Sequence, residues 1–129
     1  MATQKTLPTD ADVQAFLEAV TPPRRRSDGL RLTALAREVT GVEPVMWGPS
    51  IVGYGSTGTW PTFSFSPRKT ALTIYGLTDL PDADHLRARL GDCTISAGCI
   101  YVKDLDRVDV EVLRELIATA WARTDSLPS

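Results

Sequence analysis

The side chains able to do covalent or metal chemistry are few. His85 is the one histidine, and Cys93 and Cys99 are the two cysteines. A serine triad needs a histidine base, and no Gly-x-Ser-x-Gly elbow accompanies any serine. Asp82 and His85 stand three residues apart and would share a face on a helix. Imidazole with carboxylate suits iron or zinc, so these two are the weak metal candidates. Against this, aspartates in a first helical turn also complement the helix dipole. No His/Cys cluster has zinc spacing, so neither a tightly bound metal nor any other cofactor is expected. Cys99 falls in an apolar strand pattern and reads as packing, while Cys93 reads as more exposed without an evident activating partner. Both are expected as free thiols. Gly55-Ser56-Thr57-Gly58 lacks the lysine of a phosphate-binding loop, and its glycine spacing fits no dinucleotide fingerprint.

Recognition chemistry is better represented. Trp47, Tyr54, Trp60 and Tyr75 combine aromatic faces with polar handles, as pockets and interfaces do. Arg68 and Lys69 follow Pro67 in a turn and would supply a cationic rim. Gly48, Gly53 and Gly55 surround Trp47 and Tyr54, where small residues would let a ligand approach the main chain. These residues form the candidate ligand-binding set. The alternative is that Trp47 and Tyr54 close the hydrophobic core where the helices leave the sheet. Arg24, Arg25 and Arg26 read as a solvated turn beside Pro22 and Pro23 rather than as a phosphate site.

The elements that must carry these residues follow from periodicity. Val13, Phe16, Leu17 and Val20 give a helix over about residues 10–20, capped by Thr9 and ended by the prolines. Leu32, Leu35, Ala36 and Val39 give a second, from about residue 28 to a stop at Gly41. Trp47-Gly48-Pro49 reads as a turn, and Ser50–Tyr54 as a strand. In residues 59–66 Phe63 and Phe65 alternate with Thr62, Ser64 and Ser66, and in 70–76 Leu72 and Ile74 alternate with Thr73 and Tyr75. A short helix is expected at about 82–90 and a polar turn at 92–97. A fourth strand at 98–103 has Ile100 and Val102 opposed to Cys99 and Tyr101. Val110, Leu113, Ile117, Ala120 and Trp121 stripe a last helix over 109–121. The expected class is α+β: an antiparallel sheet of at least four strands, with helices packed mainly on one face.

Length and composition agree with one domain. The chain has 129 residues, 43% hydrophobic and 23% charged, and a formal net charge of -2. Residues 9–123 are expected to fold as a unit, with flexible tails at 1–8 and 124–129. The mild acidic balance gives no reason to expect nucleic acid. No apolar run approaches the roughly 20 residues that span a bilayer, and no leader segment is evident, so a cytoplasmic location with no membrane partner is expected.

Several ordered motifs carry a likeness. Trp47-Gly48-x-x-Ile51-Val52-Gly53-Tyr54-Gly55, Phe65-Ser66-Pro67-Arg68-Lys69 and Leu72-Thr73-x-Tyr75 come first. Leu90-Gly91 and Gly98-Cys99-Ile100-Tyr101-Val102-Lys103-x-Leu105-x-x-Val108-Asp109 follow. Together, over about residues 10–120, they resemble the DUF1801, or YdhG-like, family of small bacterial proteins. The resemblance implies a small α+β domain without an established reaction, and a related branch is similar to frataxin-like iron chaperones in proposed role. The family's Tyr-x-Tyr and Ser-Gly-Arg-Glu-Gly segment is replaced here by Ser56-Thr57-Gly58-Thr59-Trp60-Pro61, without its arginine and acidic residue. The functional expectation is a non-enzymatic binding module for a small molecule or a protein. Weak iron binding in the manner of an iron chaperone, and an enzyme of unidentified reaction, are the alternatives.

Overall fold

Proline at the first helical position is favoured, because its missing N–H has no partner to lose there and its φ is already helical. The long helix of the N-terminal third begins in that way, at Pro23 and not after the arginines. In the computed structural model, which describes residues 7–56 and 60–126, this helix is α2, Pro23–Thr40. It stops at Gly41, whose φ of 74° is left-handed and whose N–H reaches the Arg37 carbonyl at 2.8 Å. The expected solvated arginine turn is therefore the first turn of α2. The preceding helix, α1 (Val13–Glu18), is shorter than its apolar stripe suggests. The chain is still extended at Thr9, whose N–H donates to the Met46 carbonyl at 2.8 Å, so the cap moves to Asp12, which accepts from the Ala15 N–H.

Six strands follow: β1 (Val45–Trp47), β2 (Ile51–Tyr54), β3 (Phe63–Pro67), β4 (Leu72–Tyr75), β5 (Thr94–Ile95) and β6 (Cys99–Val102). They form one sheet in the order β1-β2-β3-β4-β6-β5, every neighbouring pair antiparallel. Two strands depart from expectation. β1 occupies the start of the supposed Trp47 turn, which is confined to Gly48–Ser50, and β5 occupies part of the polar 92–97 segment. Between β4 and β5 lies α3 (Asp84–Ala88). After β6 a 3-10 turn (Leu105–Arg107) leads to α4 (Val110–Ser126), capped by Asp109, whose carboxylate accepts from the N–H groups of Glu111 and Val112. Helix α4 runs through residues expected as a tail. Of the expected tails, 1–6 and 127–129 lie outside the described residues, as do Thr57 and Gly58 of the Gly55–Gly58 segment and Thr59 of the strand expected over 59–66.

Register assigns the faces. Met46, Val52, Phe65, Ile74 and Ile100 stand in one row across the sheet, beside Tyr54, Phe63, Leu72 and Val102. All are buried, covered by α2 on β3 and β4 and by α4 on β3. Burying each such side chain contributes roughly 1.5–3 kcal/mol. The opposite face has two rows: Val45, Gly53, Ser64, Tyr75 and Cys99 in one, and Trp47, Ile51, Ser66, Thr73, Tyr101 and Thr94 in the other. The α+β class, the antiparallel sheet and the one-sided helices are thus as the periodicities imply.

Candidate functional site

Trp47 and Tyr54 do not share a surface. Directly paired strand residues share a face and successive ones alternate, which sends Tyr54 into the helix-covered core and Trp47 to the other side. Tyr54 is 0% exposed, and its hydroxyl donates to the Thr33 carbonyl of α2 at 3.1 Å. Burial pushes this phenol well above its ordinary pKa. Trp47 is 4% exposed. A Cβ on Gly53 would come within 2.7 Å of the Trp47 Nε1 and 2.9 Å of the Pro61 Cβ, so Gly53 is the seat of that indole. Gly55 does the same for Trp121, which a Cβ there would meet at 2.7 Å, and Gly48 turns the chain between β1 and β2 with φ 64°. The recognition surface expected around Trp47, Tyr54 and these glycines is internal packing.

The other expected residues meet in pairs: Trp60 with Tyr75, Tyr75 with Arg68, and Arg68 with Lys69. Trp60 is 37% exposed and sets its ring edge-on to Tyr75, with centroids 6.4 Å apart. Tyr75 lines a hollow of about 370 Å³ on the helix-free face, with Arg68, Thr70, Thr73, Cys99 and Tyr101. Arg68 and Thr70 also border a second hollow of about 500 Å³, reached around the end of the sheet. Its wall includes Lys69, Phe16, Val20 and Pro67, with Ser66, whose hydroxyl donates to the Ser50 carbonyl at 2.8 Å. The β3–β4 turn is the ridge between the two. Among the described residues no aspartate, glutamate or histidine lines either hollow. What the linings offer is hydroxyl groups, phenol rings and cations, which suits binding and orientation of a ligand.

Beneath the ridge is a residue that local sequence misassigns. Arg25 is 5% exposed. Its Nε donates to the Arg68 carbonyl at 2.8 Å and a terminal nitrogen to the Lys103 carbonyl at 2.9 Å. One guanidinium thereby ties the β3–β4 turn to the end of β6. Arg24 pairs with Asp104 at 3.0 Å, and Arg26 donates to the Val20 carbonyl at 3.1 Å, so the triplet is structural. Thr73, Cys99 and Tyr101 were also outside the expected set. Their signal was the alternation that opposes them to Ile74, Ile100 and Val102.

The metal candidates do not share a helix face as expected, because only one of them is helical. His85 is exposed on α3, whereas Asp82 precedes the helix in a turn with φ 60°. Among the described residues no group of three His, Cys, Asp or Glu side chains is placed to hold a metal ion. Both cysteines are free and half-buried; burial, and then Asp92, push the Cys93 thiol upward. Cys99 does not sit in the apolar core but faces the first hollow. Among the described residues no helix is long and apolar enough to cross a membrane.

Fold and surface together define an α+β protein with one helix-covered and one open sheet face. Nothing matches the chain among protein families, curated proteins or solved structures.

Proposed function

We propose that this protein is a non-enzymatic binding module that takes a small molecule on the helix-free face of its sheet. The observation that supports this reading most is the hollow of about 370 Å³ walled by Thr73, Tyr75, Cys99 and Tyr101 and closed at one end by Arg68. Its volume falls in the range of ligand sites, roughly 300–1,000 Å³. Antiparallel strands place the two tyrosines diagonally on neighbouring β4 and β6, because Tyr75 pairs with Cys99 and Tyr101 with Thr73. Both rings stand on rigid strands, so little side-chain entropy is lost when a ligand settles between them. The YdhG-like assignment rests on the ordered motifs alone, and we propose it on that footing.

The test is a metabolite screen by thermal shift on wild type and Tyr101→Ala. A compound that stabilises wild type and loses most of that effect with Tyr101→Ala is expected. Equal stabilisation of both proteins by every compound recovered would move the site elsewhere.

A further inference from the structure

The charge around the ridge goes further than the shape of the hollow. Arg24, Arg31, Arg37, Arg87, Arg107 and Arg114 each pair with a carboxylate. Among the described residues Arg25, Arg26, Arg68, Lys69, Arg89 and Lys103 form no ion pair, and four of these six, Arg25, Arg68, Lys69 and Lys103, gather at the β3–β4 turn and the end of β6. Arg25 is the telling member, because its charge is nine-tenths buried and, among the described residues, its hydrogen bonds go to two carbonyls, those of Arg68 and Lys103, and to no carboxylate. A buried charge is costly unless compensated; the buried carboxylate one turn along α2, Asp28, is itself engaged by the Leu105 N–H and by Arg31, so Arg25 remains a local positive source. That source lies under the turn whose exposed cations are Arg68 and Lys69. On a chain of formal net charge -2, the positive end is local to one end of the tyrosine-walled hollow, where field lines would draw a small anion.

We propose, on the binding reading above, that the sheet-face hollow takes a single-ring aromatic compound bearing a phosphate or carboxylate. The negative group sits at Arg68, and the ring lies along Tyr75 and Tyr101. Arg25 is a positioning residue: it does not reach the ligand but holds the carbonyls of Arg68 and Lys103 and so fixes the cationic end. The phenol rings supply flat apolar surface. The guanidinium of Arg68 matches the two oxygens of a carboxylate or phosphate in a way an ammonium does not. The small size of the hollow and the acidic balance of the whole chain favour a lone anion over a polyanionic strand.

Amide shifts of the isotopically labelled full chain test this with five probes: phenyl phosphate, benzoate, phenol, inorganic phosphate and a ten-residue oligothymidine. Expected is saturable movement of Thr73, Tyr75, Cys99 and Tyr101 by phenyl phosphate or benzoate, at least about tenfold tighter than by phenol or inorganic phosphate, the size set by one charge-assisted contact. Whichever of the two anions binds tighter identifies the group. Arg68→Ala should remove that tenfold advantage and leave phenol unchanged. Arg25→Met should do the same, with Arg25→Lys restoring part of it. Should Arg25→Met fail to fold, Arg68→Ala alone decides the anion site. Phenol binding as tightly as phenyl phosphate would overturn the anion while leaving the binding surface in place. No movement of these residues by any probe would overturn the proposal. Tighter binding of oligothymidine than of phenyl phosphate would replace the small anion with a single strand and overturn it too.

Discussion

On the helix-covered face Val52, Phe63, Phe65, Ile74 and Ile100 are wholly buried. On the open face the same strands carry Ser64, Ser66, Thr73, Tyr75 and Tyr101, a series running from buried hydroxyls to a tyrosine 37% exposed. The covered face is filled by side chains from α2 and α4, so every position is answered by another part of the chain. The open face is answered by its neighbours in the sheet, by Trp47 and Pro61 against Gly53, by the Trp60–Tyr75 contact and, beside Ser66, by Phe16 and Val20 across a hollow. The contrast separates a face closed by helices from one on which Tyr75 and Tyr101 stay partly exposed.

The comparison breaks most visibly with Phe65→Ala against Tyr101→Ala. Loss of the buried ring should cost about 3–5 kcal/mol in urea unfolding. Loss of the exposed one should cost less than about 1 kcal/mol. Equal losses would mean that the open face is packed as tightly as the core.

Tyr54→Phe is next in size. It leaves the Thr33 carbonyl without its extra donor and should cost about 1–2 kcal/mol near neutral pH. It also has a pH signature. Burial holds the folded phenol above its ordinary 10.0, so above that pH the unfolded chain sheds the proton and the folded chain keeps it. The folded state then binds more protons, and stability falls as pH rises. The contribution is intact below the unfolded pKa and declines above it. Melts taken at about pH 9 and about pH 11 should converge for wild type and Tyr54→Phe, since the variant lacks this alkaline loss. Parallel declines would place the phenol in contact with water.

The smallest effect belongs to Ser64, whose buried hydroxyl, like that of Thr62, has no hydrogen-bond partner among the described residues. Ser64→Ala should be neutral or stabilise by up to about 1 kcal/mol. A clear loss in a thermal melt would show that the hydroxyl is engaged on the open face.

The sheet was legible where alternation was strict. Phe63 and Phe65 against Ser64 and Ser66, and Ile100 and Val102 against Cys99 and Tyr101, fix both faces before any coordinate is known. Ile51-Val52-Gly53-Tyr54 is apolar or small at every position, so nothing local says which side Tyr54 takes; pairing with Phe63 decides it. The glycines there suggested room for a ligand, but the room is filled by Trp47 and Trp121, supplied from a neighbouring strand and from α4. β1 and β5 were illegible because strands of three and two residues are too short to show a period. Arg25 was the furthest from reach. Its partners lie 43 and 78 residues along the chain, so only the closed fold turns a basic triplet into a clamp.

The pairing of residues 7–9 with β1 has a consequence at the rim of the sheet. The Gly48 N–H donates to the Leu7 carbonyl at 2.9 Å, Pro8 bridges to Trp47, and the Thr9 N–H reaches Met46. This outermost segment contains a proline, which offers no donor of its own, and the opposite rim is the two-residue β5. Neither border thus presents a long row of open amides on which a strand from another copy can template. Trimming Leu7 to Thr9 would uncover the outer rim of β1 while leaving the helix-packed core in place. The first symptom of that damage would be poor colloidal behaviour at high concentration, with the melting temperature little changed.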